Sequence, residues 1–444
     1  MKKIFSVIVI GIISLSMISL LALSVNAASL PSSWPMFHTG ISSSTGPSSN
    51  QTAWNFTAAN GFWSSPAVEN GVVYVGSYDH QVYALNANSG SLIWNYTTAD
   101  MIDSSPAVSN GVVYIGSNDH NVYALNASDG VKIWNFTTGK EVQSSPIVAD
   151  GKVYVGSNDD NFYVLNPATG NLLWNFTTGG DVISSAAVVN GVAYVGSYDH
   201  KVYALEAATG AHIWNYTTGG VVESSPAVTN GILYIGSYDN KTYALDASSG
   251  TQLWNVTTGY DLCVQASPVV ANGIVYTAGS YDGNVYAYNA TTGATIWNYK
   301  TGGGIFSSPA LANGVLYVNS NDNKTYALNA TNGNPLWSFQ TSSGLHSIPA
   351  ILDGMYSSPA VANGMVYVSS YDRNVYAIGS PTPTQTTSPS PTASASASPT
   401  PQATATATPS PNTSSNTTYY IIAAAVVIII VIAAIAIALS RRHK

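Results

Sequence analysis

The chain has 444 residues, a formal net charge of −8 and only 8% charged residues, whereas soluble domains usually carry about 25%. It contains just 13 Lys and Arg, and they cluster only at the two ends. This excludes a nucleic-acid-binding role, because neutralising phosphates requires clustered cations.

Residues 1–27 are predicted to be a secretory signal peptide. Two lysines follow Met1, an apolar stretch continues to Val25, and small residues end at Ala27, which is typical of a signal-peptidase site. The apolar stretch is long for a signal, so an uncleaved membrane anchor is the alternative. Residues 28–50 form an entry segment before the main body.

Residues 51–380 repeat one unit eight times. The unit is visible in its tryptophans, which follow one another at intervals of 40 residues with a single interval of 43. These are Trp54, Trp94, Trp134, Trp174, Trp214, Trp254, Trp297 and Trp337. A fixed period of this length indicates a solenoid or a propeller.

Each unit contains four predicted strands. In residues 104–138, alternating apolar residues predict strands around Val108, Tyr114, Tyr123 and Trp134. The pair Asn110-Gly111 predicts a tight hairpin turn, because both residues tolerate a positive φ. Four antiparallel strands in about 40 residues are typical of a propeller blade. We therefore predict an all-β fold, an eight-bladed β-propeller of four-stranded blades.

The two ends of the repeat region complement each other. The region opens with a lone strand around Trp54, and its last unit, residues 365–378, lacks a tryptophan strand. We expect the Trp54 strand to complete the last blade, which would leave no open edge in the ring. The eighth unit also carries two copies of its first strand, at 347–354 and 357–364. One copy must be an insertion, and the sequence does not decide which.

The repeat resembles the tryptophan-docking repeat of the pyrroloquinoline-quinone-like (PQQ-like) propeller family. The resemblance rests on the spacing Ala84-Leu85-Asn86, Gly90 and Trp94, which recurs along the chain, and on the opening Trp34-Pro35-Met36-Phe37. It implies a propeller fold over residues 34–380. Enzymes of that family hold a quinone against a vicinal cysteine pair, with calcium and an aspartate base. This chain has one cysteine, so the resemblance implies a non-catalytic, surface-anchored member without cofactor, metal or catalytic residues.

Residues that recur in every unit are interpreted as structural. An aspartate in the second turn recurs as Asp79, Asp119, Asp159, Asp199, Asp239, Asp282, Asp322 and Asp372. Calcium binding is the alternative. An aspartate that hydrogen-bonds to the backbone of its own turn is favoured, because every blade requires that turn. The eight tryptophans are expected to pack between blades, and Cys263 to be a small buried residue. His80, His120 and His200 stand on separate blades and predict no metal site.

Candidate ligand-binding residues are those that vary among otherwise similar units. The position before each Ser-Ser-Pro strand, or the variant of it that some units carry, should surround one mouth of the central channel. It is occupied by Trp63, Asp103, Gln143, Ile183, Glu223, Gln265, Phe306 and Tyr356, which we call the mouth ring. Aromatic and polar groups together suit a sugar, a peptide or a small polar ligand. Unconstrained drift is the alternative, and His346 replaces Tyr356 if the first strand copy is used.

The chain is predicted to end in a membrane anchor. Residues 381–418 are rich in Pro, Ser and Thr, are uncharged and predict a disordered stalk. Residues 419–440 predict one transmembrane helix, and residues 441–444 a basic cytoplasmic tail. A glycolipid-anchor signal is less favoured, because such tails normally end apolar.

Six Asn-x-Thr motifs follow tryptophans and are candidate N-glycosylation sites: Asn55, Asn95, Asn135, Asn175, Asn215 and Asn255.

These features together predict a monomeric, single-pass protein of the cell membrane with its propeller outside the cell. Its expected work is binding or scaffolding: the channel-mouth face would hold a protein, a glycan or an envelope component. The alternatives are an enzyme, either a quinone-dependent oxidoreductase or a hydrolase that uses Asp103 and Glu223, and a structural part of a surface layer.

Overall fold

The computed structural model describes residues 41–42, 46–47, 49–259, 263–341 and 357–380. Within these ranges every regular element is a β-strand, and β2–β33 form eight antiparallel sheets of four strands each. The predicted eight-bladed propeller is confirmed. The described residues contain no helix able to span a membrane. The signal peptide, the stalk, the transmembrane helix and the basic tail lie outside the described residues.

Four strands build each blade, from the channel outwards. The innermost strands are β3 (Ala67–Glu69), β7 (Ala107–Ser109), β11 (Ile147–Ala149), β15 (Ala187–Val189), β19 (Ala227–Thr229), β23 (Val269–Ala271), β27 (Ala310–Ala312) and β31 (Ala360–Ala362). The second strands are β4 (Val72–Gly76), β8 (Val112–Gly116), β12 (Lys152–Gly156), β16 (Val192–Gly196), β20 (Ile232–Ser237), β24 (Ile274–Ala278), β28 (Val315–Ser320) and β32 (Met365–Ser369).

The outer half of each blade has the same plan. The third strands are β5 (Gln81–Asn86), β9 (Asn121–Asn126), β13 (Asn161–Leu165), β17 (Lys201–Glu206), β21 (Lys241–Asp246), β25 (Asn284–Asn289), β29 (Lys324–Asn329) and β33 (Asn374–Gly379). The outermost strands are β6 (Leu92–Thr97), β10 (Lys132–Thr137), β14 (Leu172–Thr177), β18 (His212–Thr217), β22 (Gln252–Thr257), β26 (Thr295–Lys300), β30 (Pro335–Gln340) and β2 (Thr52–Thr57). Blades 1–7 follow the chain from β3, and blade 8 comprises β31–β33 and β2.

The core lies between the blades. The second and third strands read as nearly continuous apolar runs, such as VVYVG in β4, because neighbouring blades cover both of their faces. The hairpin between the first two strands turns at Asn110 and Gly111 in blade 2, with φ of 51° and 76°. Two successive positive φ values fit a type I′ turn and explain why Asn-Gly recurs there.

Seven of the eight tryptophans, Trp54 to Trp297, join their blade to the next one, as predicted. The Trp94 Nε1–H donates to the carbonyl of Ala127 in the following blade at 2.9 Å. Gly130 lies directly under the same indole ring, where an added Cβ would stand 2.6 Å from Cε3. Both contacts recur from Trp54 to Trp297. The recurring tryptophan and the glycine that precedes the next one are therefore parts of one inter-blade joint.

The second-turn aspartates are structural as well. Asp119 accepts hydrogen bonds from Asn121 N–H at 3.0 Å, from Ala99 N–H at 2.8 Å and from the Tyr123 hydroxyl at 2.7 Å. The first bond closes its own turn, and the second ties down the loop that enters the blade. The structural interpretation of this repeated aspartate is confirmed. Cys263 is buried, also as predicted, and burial raises the pKa of its thiol.

Strand β2 closes the ring. It pairs with β33 at the outer edge of blade 8, with Trp54 opposite Ala377. The structure also assigns the duplicated strand: Ala360–Ala362 in the second copy forms β31. The first copy, at 347–354, lies outside the described residues, as do His346 and Tyr356. In the entry segment, β1 (Ile41–Ser42) pairs in parallel with β27 on the channel side of blade 7.

Candidate functional site

The mouth ring surrounds one cavity. Seven of its eight members line a space of about 410 Å³ at the channel mouth, and the eighth, Tyr356, lies outside the described residues. The seven are Trp63, Asp103, Gln143, Ile183, Glu223, Gln265 and Phe306. Each precedes the innermost strand of its own blade, which explains why one sequence position produces a ring. A cavity of this size is in the range that holds small ligands.

A closed ring of serines lines the same cavity. We call it the serine ring: Ser65, Ser105, Ser145, Ser185, Ser225, Ser267, Ser308 and Ser358. The backbone N–H of each serine donates to the hydroxyl oxygen of the serine in the next blade at 2.8–3.2 Å, and Ser358 returns to Ser65. None of the eight hydroxyls donates a hydrogen bond to a described residue. Their hydrogens are therefore available to a ligand or to water.

A second set of variable residues supports the mouth ring. It occupies the position between the constant serine and the constant aspartate of the second turn, and we call it the turn ring. Its members are Tyr78, Asn118, Asn158, Tyr198, Tyr238, Tyr281, Asn321 and Tyr371. Sequence reasoning missed this set, although the variation between Tyr and Asn at one position between two constant residues was a visible signal.

Glu223 is held by three donors. Its carboxylate accepts a hydrogen bond from the Tyr198 hydroxyl at 2.8 Å, and further bonds from the Tyr238 hydroxyl and the Gln265 amide. Burial, followed by the nearby Glu223 carboxylate, raises the pKa of both tyrosines far above its ordinary value. Both hydroxyls therefore stay protonated and fix the carboxylate at the cavity wall.

Asp103 is held on one side only. Its Oδ2 accepts from the Asn118 amide at 2.8 Å and from the Gln143 amide at 3.1 Å. Its Oδ1 is buried and has no hydrogen-bond partner among the described residues. Because a buried acceptor without a donor is costly, this oxygen is suited to a ligand or water that donates.

Aromatic rings form the remaining wall. Trp63 lies 5.3 Å from Tyr78 between ring centroids, and Phe306 lies edge-on to Tyr281 at 5.1 Å. Tyr78 in turn contacts Tyr371 of blade 8 at 6.3 Å. The cavity thus has an aromatic sector formed by Tyr281 of blade 6, Phe306 of blade 7 and Trp63 of blade 1, and polar sectors across blades 2, 3 and 5.

The two carboxylates do not form a pair. Asp103 belongs to blade 2 and Glu223 to blade 5, and they share no hydrogen-bond partner among the described residues. The described part of the chain also contains no group of three His, Cys, Asp or Glu side chains arranged for a metal ion. His80, His120 and His200 each occupy the second turn of a different blade, as their spacing predicts. In the structure all three have a positive φ.

Comparison with known proteins agrees with this architecture. A family model described as the β-propeller of the beta-alanine-activating enzyme matches residues 152–426, which is more than half of the chain. The chain belongs to this β-propeller family. A model described as outer membrane protein assembly factor BamB matches residues 81–185 of the same propeller. These matches confirm the PQQ-like repeat.

Solved structures share the propeller fold. BamB from Moraxella catarrhalis has a TM-score of 0.62 and 20% identity, over 74% of this chain and 97% of that one. The computationally designed Ika8 protein has a TM-score of 0.64 and 15% identity, over 74% and 99%. Quinohemoprotein alcohol dehydrogenase from Comamonas testosteroni has a TM-score of 0.66 and 16% identity, over 80% and 81%. At these identities the likeness concerns the fold alone. No curated protein matches the chain in sequence.

The residues of this propeller do not fit the quinone used by some proteins of the fold. Pyrroloquinoline quinone carries several carboxylates and needs cationic partners. The described residues that line the cavity include no Lys, Arg or His, and they include two carboxylates, Asp103 and Glu223. The sole cysteine, Cys263, cannot form a vicinal disulfide. A polyanionic ligand would therefore meet like charge in this cavity.

Proposed function

We propose that the chain is a cell-surface binding module that holds a neutral polyhydroxyl ligand, a glycan, in the cavity at the channel mouth. The proposal includes the membrane anchor and exterior propeller expected from the terminal segments. One observation carries the choice of ligand: the residues that line the cavity include unmatched donors and an unmatched acceptor. The serine-ring hydroxyls can donate, and Asp103 Oδ1 needs a donor.

A sugar satisfies both requirements because each of its hydroxyls donates and accepts. A cation would leave the serine hydroxyls without an acceptor, and an anion would leave Asp103 Oδ1 without a donor. The aromatic sector at Trp63 and Phe306 offers flat apolar surface to the C–H face of a sugar ring. The cavity volume of about 410 Å³ suits one or two sugar units rather than a flat protein interface.

The test is a glycan array probed with the full-length chain in mild detergent. Trp63→Ala should weaken binding of the best glycan about 10-fold or more, since a buried aromatic anchor contributes about 1–3 kcal/mol. Tyr96→Ala is the matched control, because Tyr96 lies on outer strand β6, away from the mouth. Equal binding by the two variants would contradict the proposal.

A second candidate is a scaffold for a partner protein. It is favoured by the match of residues 81–185 to a protein described as an assembly factor. A partner that co-purifies with the chain and is released by a competing glycan would occupy the same cavity. A partner that is retained by the Trp63→Ala variant would use another surface.

A further inference from the structure

The outer rim of the propeller carries a feature that ligand binding does not explain. The outermost strand of every blade is a sheet edge, with backbone groups that no neighbouring strand covers among the described residues. These outermost strands contain few charged and many apolar residues, as in LIWNYT of β6 and LLWNFT of β14. Exposed apolar edges of this kind pair readily with other chains.

The exposed face of these strands is aliphatic at one fixed position. The residue before the tryptophan is Ile or Leu in seven blades, and these side chains are 45–51% exposed. They are Ile93, Ile133, Leu173, Ile213, Leu253, Ile296 and Leu336. Such a rim would promote association between copies unless something blocks the edge.

The candidate glycosylation motifs lie on that same face. In β6 the exposed side chains alternate as Ile93, Asn95 and Thr97, while Trp94 is buried and Tyr96 is half-buried. Asn95 Nδ2 and Thr97 Oγ1 both donate to Gln81 Oε1, at 2.7 and 3.0 Å, so the motif is displayed in a fixed position. Blades 2, 3 and 8 repeat this arrangement, with an asparagine side-chain oxygen as the acceptor.

The two blades without the motif carry other edge blockers. Blade 6 reads Asn298-Tyr299-Lys300, with an exposed lysine where the motif needs threonine. Blade 7 reads Ser338-Phe339-Gln340, and its edge strand begins with Pro335. Lysine and proline are two devices by which natural sheets prevent edge pairing. Six consecutive blades thus have the motif, and the remaining two have a substitute.

We propose that Asn55, Asn95, Asn135, Asn175, Asn215 and Asn255 carry N-linked glycans that shield the edge strands from association. The inference rests on the exterior location in the proposed function. In the modification, the asparagine Nδ2 forms a bond to the anomeric carbon of a lipid-linked glycosyl phosphate. The carbon–oxygen bond to phosphate breaks, the phosphate leaves with the electron pair, and Nδ2 loses one proton. The remaining N–H can still donate to the cross-strand acceptor.

The first test is glycopeptide mass spectrometry of the full chain, isolated from the cells that naturally produce it. Most of the six asparagines should carry glycan, and Asn298 should not. A membrane-impermeant biotin reagent applied to intact cells reports separately whether the propeller is outside. An exterior chain with fewer than half of the six sites occupied overturns the glycan inference alone. An interior chain overturns both this inference and the cell-surface part of the proposed function.

The second test exchanges one blocker for the other in blade 6. Lys300→Thr completes the motif at Asn298, whereas Lys300→Ala removes the lysine and adds no motif. In light scattering, the Lys300→Thr variant should have the same apparent mass as the parent chain. The Lys300→Ala variant should have a higher apparent mass. Enzymatic removal of all glycans should also raise the apparent mass of the parent. If the deglycosylated chain has the same apparent mass as the intact chain, the shielding role is overturned.

Discussion

The inter-blade joint makes an energetic prediction that two glycines of blade 2 can test. Gly130 and Gly111 have nearly the same backbone conformation, with φ of 73° and 76°. An alanine at either position therefore has the same left-handed strain, about 1–2 kcal/mol. Their surroundings differ: a Cβ at Gly130 would stand 2.6 Å from Trp94 Cε3, whereas nothing lies within 4 Å of one at Gly111.

Gly111→Ala should therefore cost only the strain, and Gly130→Ala should cost more. Overpacking against a fixed ring costs about 1–3 kcal/mol. If Trp94 moves away instead, its 2.9 Å bond to the Ala127 carbonyl is lost, at about 1 kcal/mol. We expect the free energy of unfolding to fall by about 1–2 kcal/mol for Gly111→Ala and by about 2–5 kcal/mol for Gly130→Ala.

Urea unfolding of the full-length chain in mild detergent measures this difference. Tryptophan fluorescence reports on the joints directly, and circular dichroism should give a coincident transition if the propeller unfolds as one unit. The two variants form a matched pair, because each changes one glycine to alanine at positive φ in the same blade. Equal destabilisation would show that contact between Gly130 and Trp94 does not hold the blades together.

Further predictions follow from the serine ring, the second turn and the tyrosines. Ser145→Ala should destabilise the fold by about 1–3 kcal/mol in urea unfolding, because the Ser105 N–H loses its acceptor. Asp119→Ala should be at least as costly, since four donors lose their acceptor. Burial raises the pKa of tyrosines in every blade, to about 12 for Tyr74. The contribution of these tyrosines to the free energy of unfolding is fully present below about pH 10. It is lost as the pH rises above this value, because the unfolded chain then releases its tyrosine protons first. Absorbance at alkaline pH should show a late, cooperative fraction of the tyrosine ionisation, and the absence of such a fraction would contradict this.

The fold could be predicted well from the sequence because every blade repeats the same short-range sequence pattern. The 40-residue interval, the Asn-Gly turns and the tryptophan positions act within one blade or between neighbours, so short-range patterns carry them. The lone strand around Trp54 also indicated how the ring closes. The choice between the two copies of the eighth inner strand was not predictable, because both have the same local pattern and only long-range pairing separates them.

The candidate site was predicted in part. The mouth ring stood out because it varies between blades, and the structure brings seven of its members around one cavity. The serine ring was not recognised as part of the site, since a constant residue looks structural in a repeat. It serves both roles: its backbone N–H groups and hydroxyl oxygens join the blades, while its hydroxyl hydrogens remain available. The turn ring was missed because the spacing of residues does not show the direction of their side chains. In the structure that direction brings the Tyr198 and Tyr238 hydroxyls to Glu223.

The closure of blade 8 also sets the order of events during synthesis. The side chains of Thr57 in β2 and Asn374 in β33 form a hydrogen bond across 317 positions of sequence. Strand β2 is synthesised before blades 1–7, so it has no strand partner until nearly the whole propeller has been produced. Contacts this distant in sequence form slowly because a long loop must be closed before they are gained. Blades 1–7 can assemble against their neighbours in the meantime, so joining the two ends is the natural last step of folding.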